Sequence, residues 1–267
     1  MIPTAMQRGL AAFSLFICVC AVSPVLVIII ESFTSANYVV FPPPGFSIKW
    51  YIETFKRPEF MASLMVSLIV AVFSSLVATA LGTITALGLV RREFLGRKLL
   101  QQLFMMPLSL PGLIFGLSLL QFFAMRAISI NVVTLVIAHI IITTPFAIRF
   151  VSTAILGVNP EVERAAQSLG ADRFRTFWHI TMPLIRPGVV ASLVFTFILS
   201  FDEVAASLFL SSPTATTLPV RIYVYIDQNY DPLITAISSI LAFAAATALV
   251  IIEFTIGMDR LFGLRRA

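Results

Sequence analysis

Long apolar stretches broken by short charged ones dominate the chain. Six of them are long enough to cross a bilayer core of about 30 Å, which takes roughly 20 helical residues. They are Leu10 to Ile30, Met61 to Val90, Leu103 to Met125, Val132 to Phe150, Gly188 to Leu210 and Leu233 to Ile252. Each is apolar on every side and rich in Leu, Ile, Ala and Phe, whereas barrel strands would show short segments of alternating polarity. The pattern predicts an all-α polytopic membrane protein with six transmembrane helices in a single domain over residues 1–267.

Composition agrees, since 59% hydrophobic and 12% charged residues lie far outside the range of soluble domains. The first run could be read as a cleaved signal peptide after Arg8. Its length and its ending in "VIIIESF", without a small-residue cleavage site, favour a retained helix. Lys and Arg are enriched in cytoplasmic loops. With the N-terminus inside, 13 of the 18 fall on the cytoplasmic side, among them Arg8, Arg91, Arg92, Arg173, Arg260, Arg265 and Arg266, against 5 outside. Both termini are therefore expected to be cytoplasmic. That asymmetry accounts for the net charge of +5 without any nucleic-acid partner.

Cys18 and Cys20 sit two apart in the first run, point to different faces and read as packing residues. The chain has no Cys-His metal pattern and no phosphate loop, so no cofactor of its own is expected and ATP-driven work would need a partner. Ala78, Gly82 and Ala86, like Gly112 and Gly116, recur every four residues and predict close helix contacts. Pro107, Pro111 and Pro145 are expected to kink or unwind their helices. His139 reads as a packing residue bonded to a neighbouring helix. In the external loop, Trp50, Tyr51 and Phe55 suit a short interfacial helix.

One charged stretch stands apart, "NPEVERAAQSLGADRFRTFWHITMPLIRPG" from Asn159 to Gly188. Asn159 is a good N-cap, Pro160 fits the first helical position, and Glu161 and Glu163 suit the positive end of a helix dipole. Val162, Ala165, Ala166 and Leu169 form one narrow apolar face, and Gly170 supplies a stop. A second helical pattern carries Phe174, Phe177 and Trp178 before Pro183 and Pro187 lead back to the membrane. The loop over 159–187 thus predicts a cytoplasmic helical hairpin, which would either lie in the lipid interface or dock its small-residue face into a partner groove.

The spacing "RAAQSLG", nine residues, "ITMP" resembles the cytoplasmic signature of binding-protein-dependent ABC importer permeases: EAA, three residues, Gly, nine residues, Ile, any residue, Leu-Pro. Ala165, Ala166, Gly170, Ile180 and Pro183 fall in register. Arg164 stands where the signature has glutamate, with Glu163 one residue earlier, and Met182 replaces leucine. "RREFLGRKLLQQLFMMPLSLPGLIFG" and "SFDEVAASLFLSSPTATTLPVRIY" are similar to segments of these permeases, the latter to the spermidine and putrescine branch. The resemblance implies that the loop is a coupling helix held by an ATPase subunit that uses ATP and Mg. It further implies two ATP-binding subunits, a second related permease in a heterodimer, and a periplasmic solute-binding protein, all in a bacterial inner membrane.

Asp202 and Glu203 are the only carboxylates inside any of the six runs. An intramembrane acid is costly unless it faces water, a cation or a partner, so both are candidates for the solute path, set past the middle of the fifth helix toward the outside. Their charge points to a small organic cation such as a polyamine. Another solute of the same family, whether ferric ion, an inorganic anion or another amine, is the alternative. A stand-alone secondary transporter would predict inverted repeats or more intramembrane ionisable groups.

Overall fold

The computed structural model describes residues 4–255. Arg260, Arg265 and Arg266, and the side chain of Arg8, lie outside the described residues, and so does their part in the orientation argument. Twelve helices follow in order: α1 (Thr4–Ser32), α2 (Lys49–Lys56), α3 (Pro58–Arg91), α4 (Arg97–Met105), α5 (Gly112–Met125), α6 (Val132–Leu156), α7 (Pro160–Ser168), α8 (Arg173–Thr176), α9 (Met182–Phe201), α10 (Ala205–Phe209), α11 (Leu218–Gln228) and α12 (Leu233–Thr255). Among the described residues there is no strand, only the isolated bridges Thr34 to Phe46 and Ser212 to Ala215. The fold is all-α.

Among the described residues five helical stretches are long and apolar enough to cross a membrane, or six if the bent pair of α4 and α5 is one span. That pair is the third predicted run. Pro107 and Pro111 each lack a donor N–H, so the chain leaves α4 through a tight turn at Met106–Ser109, extends at Leu110 and re-enters helix at Gly112, bent by 102°. What remains of the run, α5, has 14 residues and reaches about 21 Å, short of a full span. Pro145 behaves otherwise, for α6 runs unbroken through it. The hydroxyls of Thr143 and Thr144 donate to the carbonyls of His139 and Ile140 at 2.7 and 2.6 Å, bonding the backbone just ahead of the proline.

Two compact units are distinguished by their internal contacts: residues up to Met61 together with Ile222–Ile252, and Ala62–Arg221. In the first, α1 is exposed from Gly9 to Leu26, and Cys18 and Cys20 lie on that exposed surface instead of being packed. The phenol of Tyr51 on α2 bonds Ser32 at 2.6 Å and Ser239 at 3.1 Å, joining α1, α2 and α12. As the aromatic pattern predicted, α2 is a separate short helix, with Phe55 exposed.

In the second unit α6 and α9 form the most extensive helix pair. Ala147, Ile148, Val151 and Ile155 of α6 and Ile185 and Ala191 of α9 are buried there. Phe195 adds ring contacts with Phe146 and Phe150 at 5.5 and 4.9 Å. The small-residue repeats act as the spacing predicted. Ala78 and Ala86 are fully buried, and a Cβ on Gly82 would come within 2.6 Å of that of Ala147. On α5, a Cβ at Gly116 would lie 2.6 Å from Ala206 Cα, so α5 and α10 approach with only backbone between them. Small polar side chains line the seam of α3 and α9, where Ser74 meets Ser200 at 2.8 Å and Thr79 meets Ser192 at 3.2 Å.

Candidate functional site

The charged stretch forms the predicted hairpin. Asn159 accepts from the Glu161 N–H at 3.0 Å, and Pro160 opens α7 where its missing donor costs nothing. Gly170 has φ +91°, and the bonds Ala171 N–H to Ala166 O (3.1 Å) and Gly170 N–H to Gln167 O (3.0 Å) close a Schellman turn that favours glycine here. From Arg173 the chain then runs helically to Phe201. Pro183 does not interrupt it; it follows a wide π-turn at Phe177–Thr181, where the Met182 N–H donates to the Phe177 carbonyl, and stands in the first turn of α9.

The hairpin presents an apolar face that nothing among the described residues covers: Val162, Leu169, Phe174 and Trp178 are all exposed. Ala165 is exposed beside them, Gly170 and Pro183 are exposed, and Ala166 and Ile180 are half-buried. Phe174 and Trp178 pack edge to face at 6.2 Å and Phe177 meets Trp178 at 5.1 Å, so the aromatic cluster anticipated from spacing is present. Arg164 points outward and pairs with Glu161 at 2.6 Å on the surface.

Glu163 does not lie on that exposed face. It turns into the chain, where Arg91 Nε lies 3.3 Å from Oε2, Arg91 Nη2 donates to Oε1 at 3.3 Å and Thr181 donates at 3.0 Å. Arg91 also donates to the Val158 carbonyl at 3.0 Å. One carboxylate thus fastens the hairpin to the end of α3 and to the root of α9. This tie borders a cleft of about 550 Å³ whose other charged walls are Arg92 and Arg173. No spacing rule could have found it, since its members are up to 90 residues apart in sequence; an arginine closing one apolar run and an acid facing inward on α7 were the only available hints.

Asp202 and Glu203 are not inside the fifth helix. The helix ends at Phe201, residues 202–204 break it, and α10 starts at Ala205. The reason is local: Glu203 accepts from the Ala206 N–H at 2.8 Å and so caps α10 with its own side chain. Glu203 is half-buried while Asp202 is exposed, so the two adjacent acids have different surroundings. The break lies beside the other broken element, for α5 packs on α10, and a Cβ on Gly112 would fall 2.9 Å from Ala205 Cβ. Unwound backbone at membrane depth is tolerated where it is buried in protein or lines a cavity. His139 is satisfied by both ring nitrogens, as expected of a packing residue, though the serines it meets could not be foreseen. Among the described residues no cluster of His, Cys, Asp and Glu is arranged to hold a metal ion.

Residues 78–264 match the family described as "Binding-protein-dependent transport system inner membrane component". The chain is 31% identical over 218 residues to the spermidine/putrescine transport system permease protein PotC of Escherichia coli K12, covering 82% of each. It is also 31% identical over 226 residues to the putrescine transport system permease protein PotI of the same organism, covering 82% of this chain and 80% of that one. Its fold matches a chain in the crystal structure of a bacterial alginate ABC transporter in complex with an alginate pentasaccharide-bound periplasmic protein, with a TM-score of 0.72, 19% identity and coverage of 96% and 94%. An all-α bundle with membrane-spanning helices, a hairpin carrying the importer signature and relatives matched over most of their length lead to one conclusion: this chain is a multi-pass inner-membrane protein belonging to the binding-protein-dependent ABC importer permeases.

Proposed function

We propose that this permease forms part of the translocation path for a small organic cation, a polyamine such as spermidine or putrescine, in an ATP-driven importer. The observation that carries the reading is 31% identity, over four fifths of each chain, to permeases named for spermidine and putrescine. The acids at the α9–α10 break support it, because a protonated amine would supply the opposite charge that Asp202 pairs with nowhere among the described residues. Residues 1–267 act as a single transmembrane domain. The hairpin faces the cytoplasm with both termini, and Ala165, Ala166, Gly170, Ile180 and Pro183 form its contact with one of two ATPase subunits, which use ATP and Mg. Arg164 stands on the rim of that contact. Glu163 serves it indirectly by holding the hairpin to α3. The chain itself hydrolyses nothing and needs no cofactor; a second related permease completes the path and a periplasmic protein delivers the solute.

The test is uptake into liposomes holding the complete transporter with its solute-binding protein. ATP-dependent accumulation of labelled spermidine or putrescine, saturable and abolished without the binding protein, is expected. If the binding protein captures only anions or sugars and no polyamine accumulates, the cationic assignment fails and importer membership alone survives.

A further inference from the structure

Given the proposed placement of Asp202 and Glu203 on the solute path, we infer that His139 is a positioning residue that clamps the two sides of the α9–α10 break and so sets where those acids stand. Its imidazole is 1% exposed, in the N-terminal half of α6. Nδ1 meets Ser200 Oγ at 2.7 Å, on the last turn of α9, and Nε2 meets Ser207 Oγ at 2.9 Å, on α10. One flat ring therefore bonds the chain just before and just after residues 202–204. Each serine hydroxyl can donate or accept, so both bonds form in either neutral tautomer of the ring. The clamp is itself held: Ser200 bonds Ser74 of α3 at 2.8 Å, and α10 rests on glycines of α5. Ser200 and Ser207 are 3% and 1% exposed, so water cannot substitute for a lost partner. Both ring nitrogens are engaged, so beyond filling space the residue ties α9 and α10 to α6. Such a tie gives the two carboxylates of the break fixed positions.

The experiment uses the complete transporter carrying Val204→Cys, with Cys18 and Cys20, the only native cysteines, replaced by serine. The rate of Val204→Cys modification by a water-soluble maleimide is read alongside solute imported per ATP hydrolysed. Ser207→Ala and His139→Phe should each accelerate modification about tenfold, the equivalent of about 1.4 kcal/mol for a lost buried hydrogen bond, and lower import per ATP. His139→Gln, whose amide again offers one donor and one acceptor, should bring both readings back toward the parent. Modification within twofold of the parent in Ser207→Ala would overturn the clamp. That variant removes a single hydroxyl, so it decides the matter even where His139→Phe does not assemble. Labelling needs no solute: a clamp that responds in a transporter importing no polyamine leaves this inference standing and sinks only the assigned substrate.

Discussion

Replacing Glu163 by Gln keeps the shape of the side chain and removes the charge that fastens the hairpin. In the native protein the carboxylate accepts from Arg91 at 3.3 Å and Thr181 at 3.0 Å, with Arg91 Nε a further 3.3 Å contact. A hydrogen bond to a charged group contributes about 1.5–3 kcal/mol net. The two side chains remain 17% and 16% exposed, so solvent screens part of this and about 1–2 kcal/mol is the reasonable loss. The nine-residue α7 is marginal as an isolated helix, so its protection depends on anchoring. A loss of that size should make the hairpin open about five- to thirtyfold more often. Hydrogen exchange of peptides covering 160–172 should accelerate accordingly, while α6 stays unchanged. Arg91→Gln should have a similar effect, and the double variant should cost much less than the sum, because both remove one interaction. Exchange within twofold of the native rate, or acceleration shared equally by α6, would refute the tie.

Four further outcomes can be measured. Gly116→Val should separate α5 from α10, since even a Cβ meets Ala206 Cα at 2.6 Å, and cost about 3 kcal/mol or more in a thermal scan; Gly88→Ala, where a Cβ meets nothing within 4 Å, is the neutral control. Asp202→Asn should raise the KM for polyamine uptake about tenfold through loss of one charge contact, without loss of assembly. Glu203→Ala should impair assembly more than Glu203→Gln, whose amide oxygen can still cap Ala206. Tyr225 is pushed up to about 12 by burial and by its hydrogen bond to Asp231. Because the folded state holds this proton more tightly, the stability it contributes is complete below pH 10 and is lost as pH rises toward 12. Phenolate absorbance should show a late step, and Tyr225→Phe should remove it.

Much of the molecule was legible in the chain because its causes are local. Apolar length sets the spans, and the Asn159, Pro160 and Gly170 signals bound α7 where its caps require. Recurrent small residues mark close helix contacts, since they act through the backbone of their own helix. Proline was only half legible: Pro107 and Pro111 break a helix, whereas Pro145 and Pro183 sit within continuous ones. The missing donor is local, but whether the helix continues past it is decided by the structure around it. Asp202 and Glu203 were visible as costly acids in an apolar run, yet the sequence placed them within a helix that ends just before them. What only the tertiary structure decided is which distant groups meet. Arg91 with Glu163, and His139 with Ser200 and Ser207, are pairings of ordinary residues far apart in the chain. Burial makes them specific, because in the absence of water each buried polar atom must find its partner on another helix.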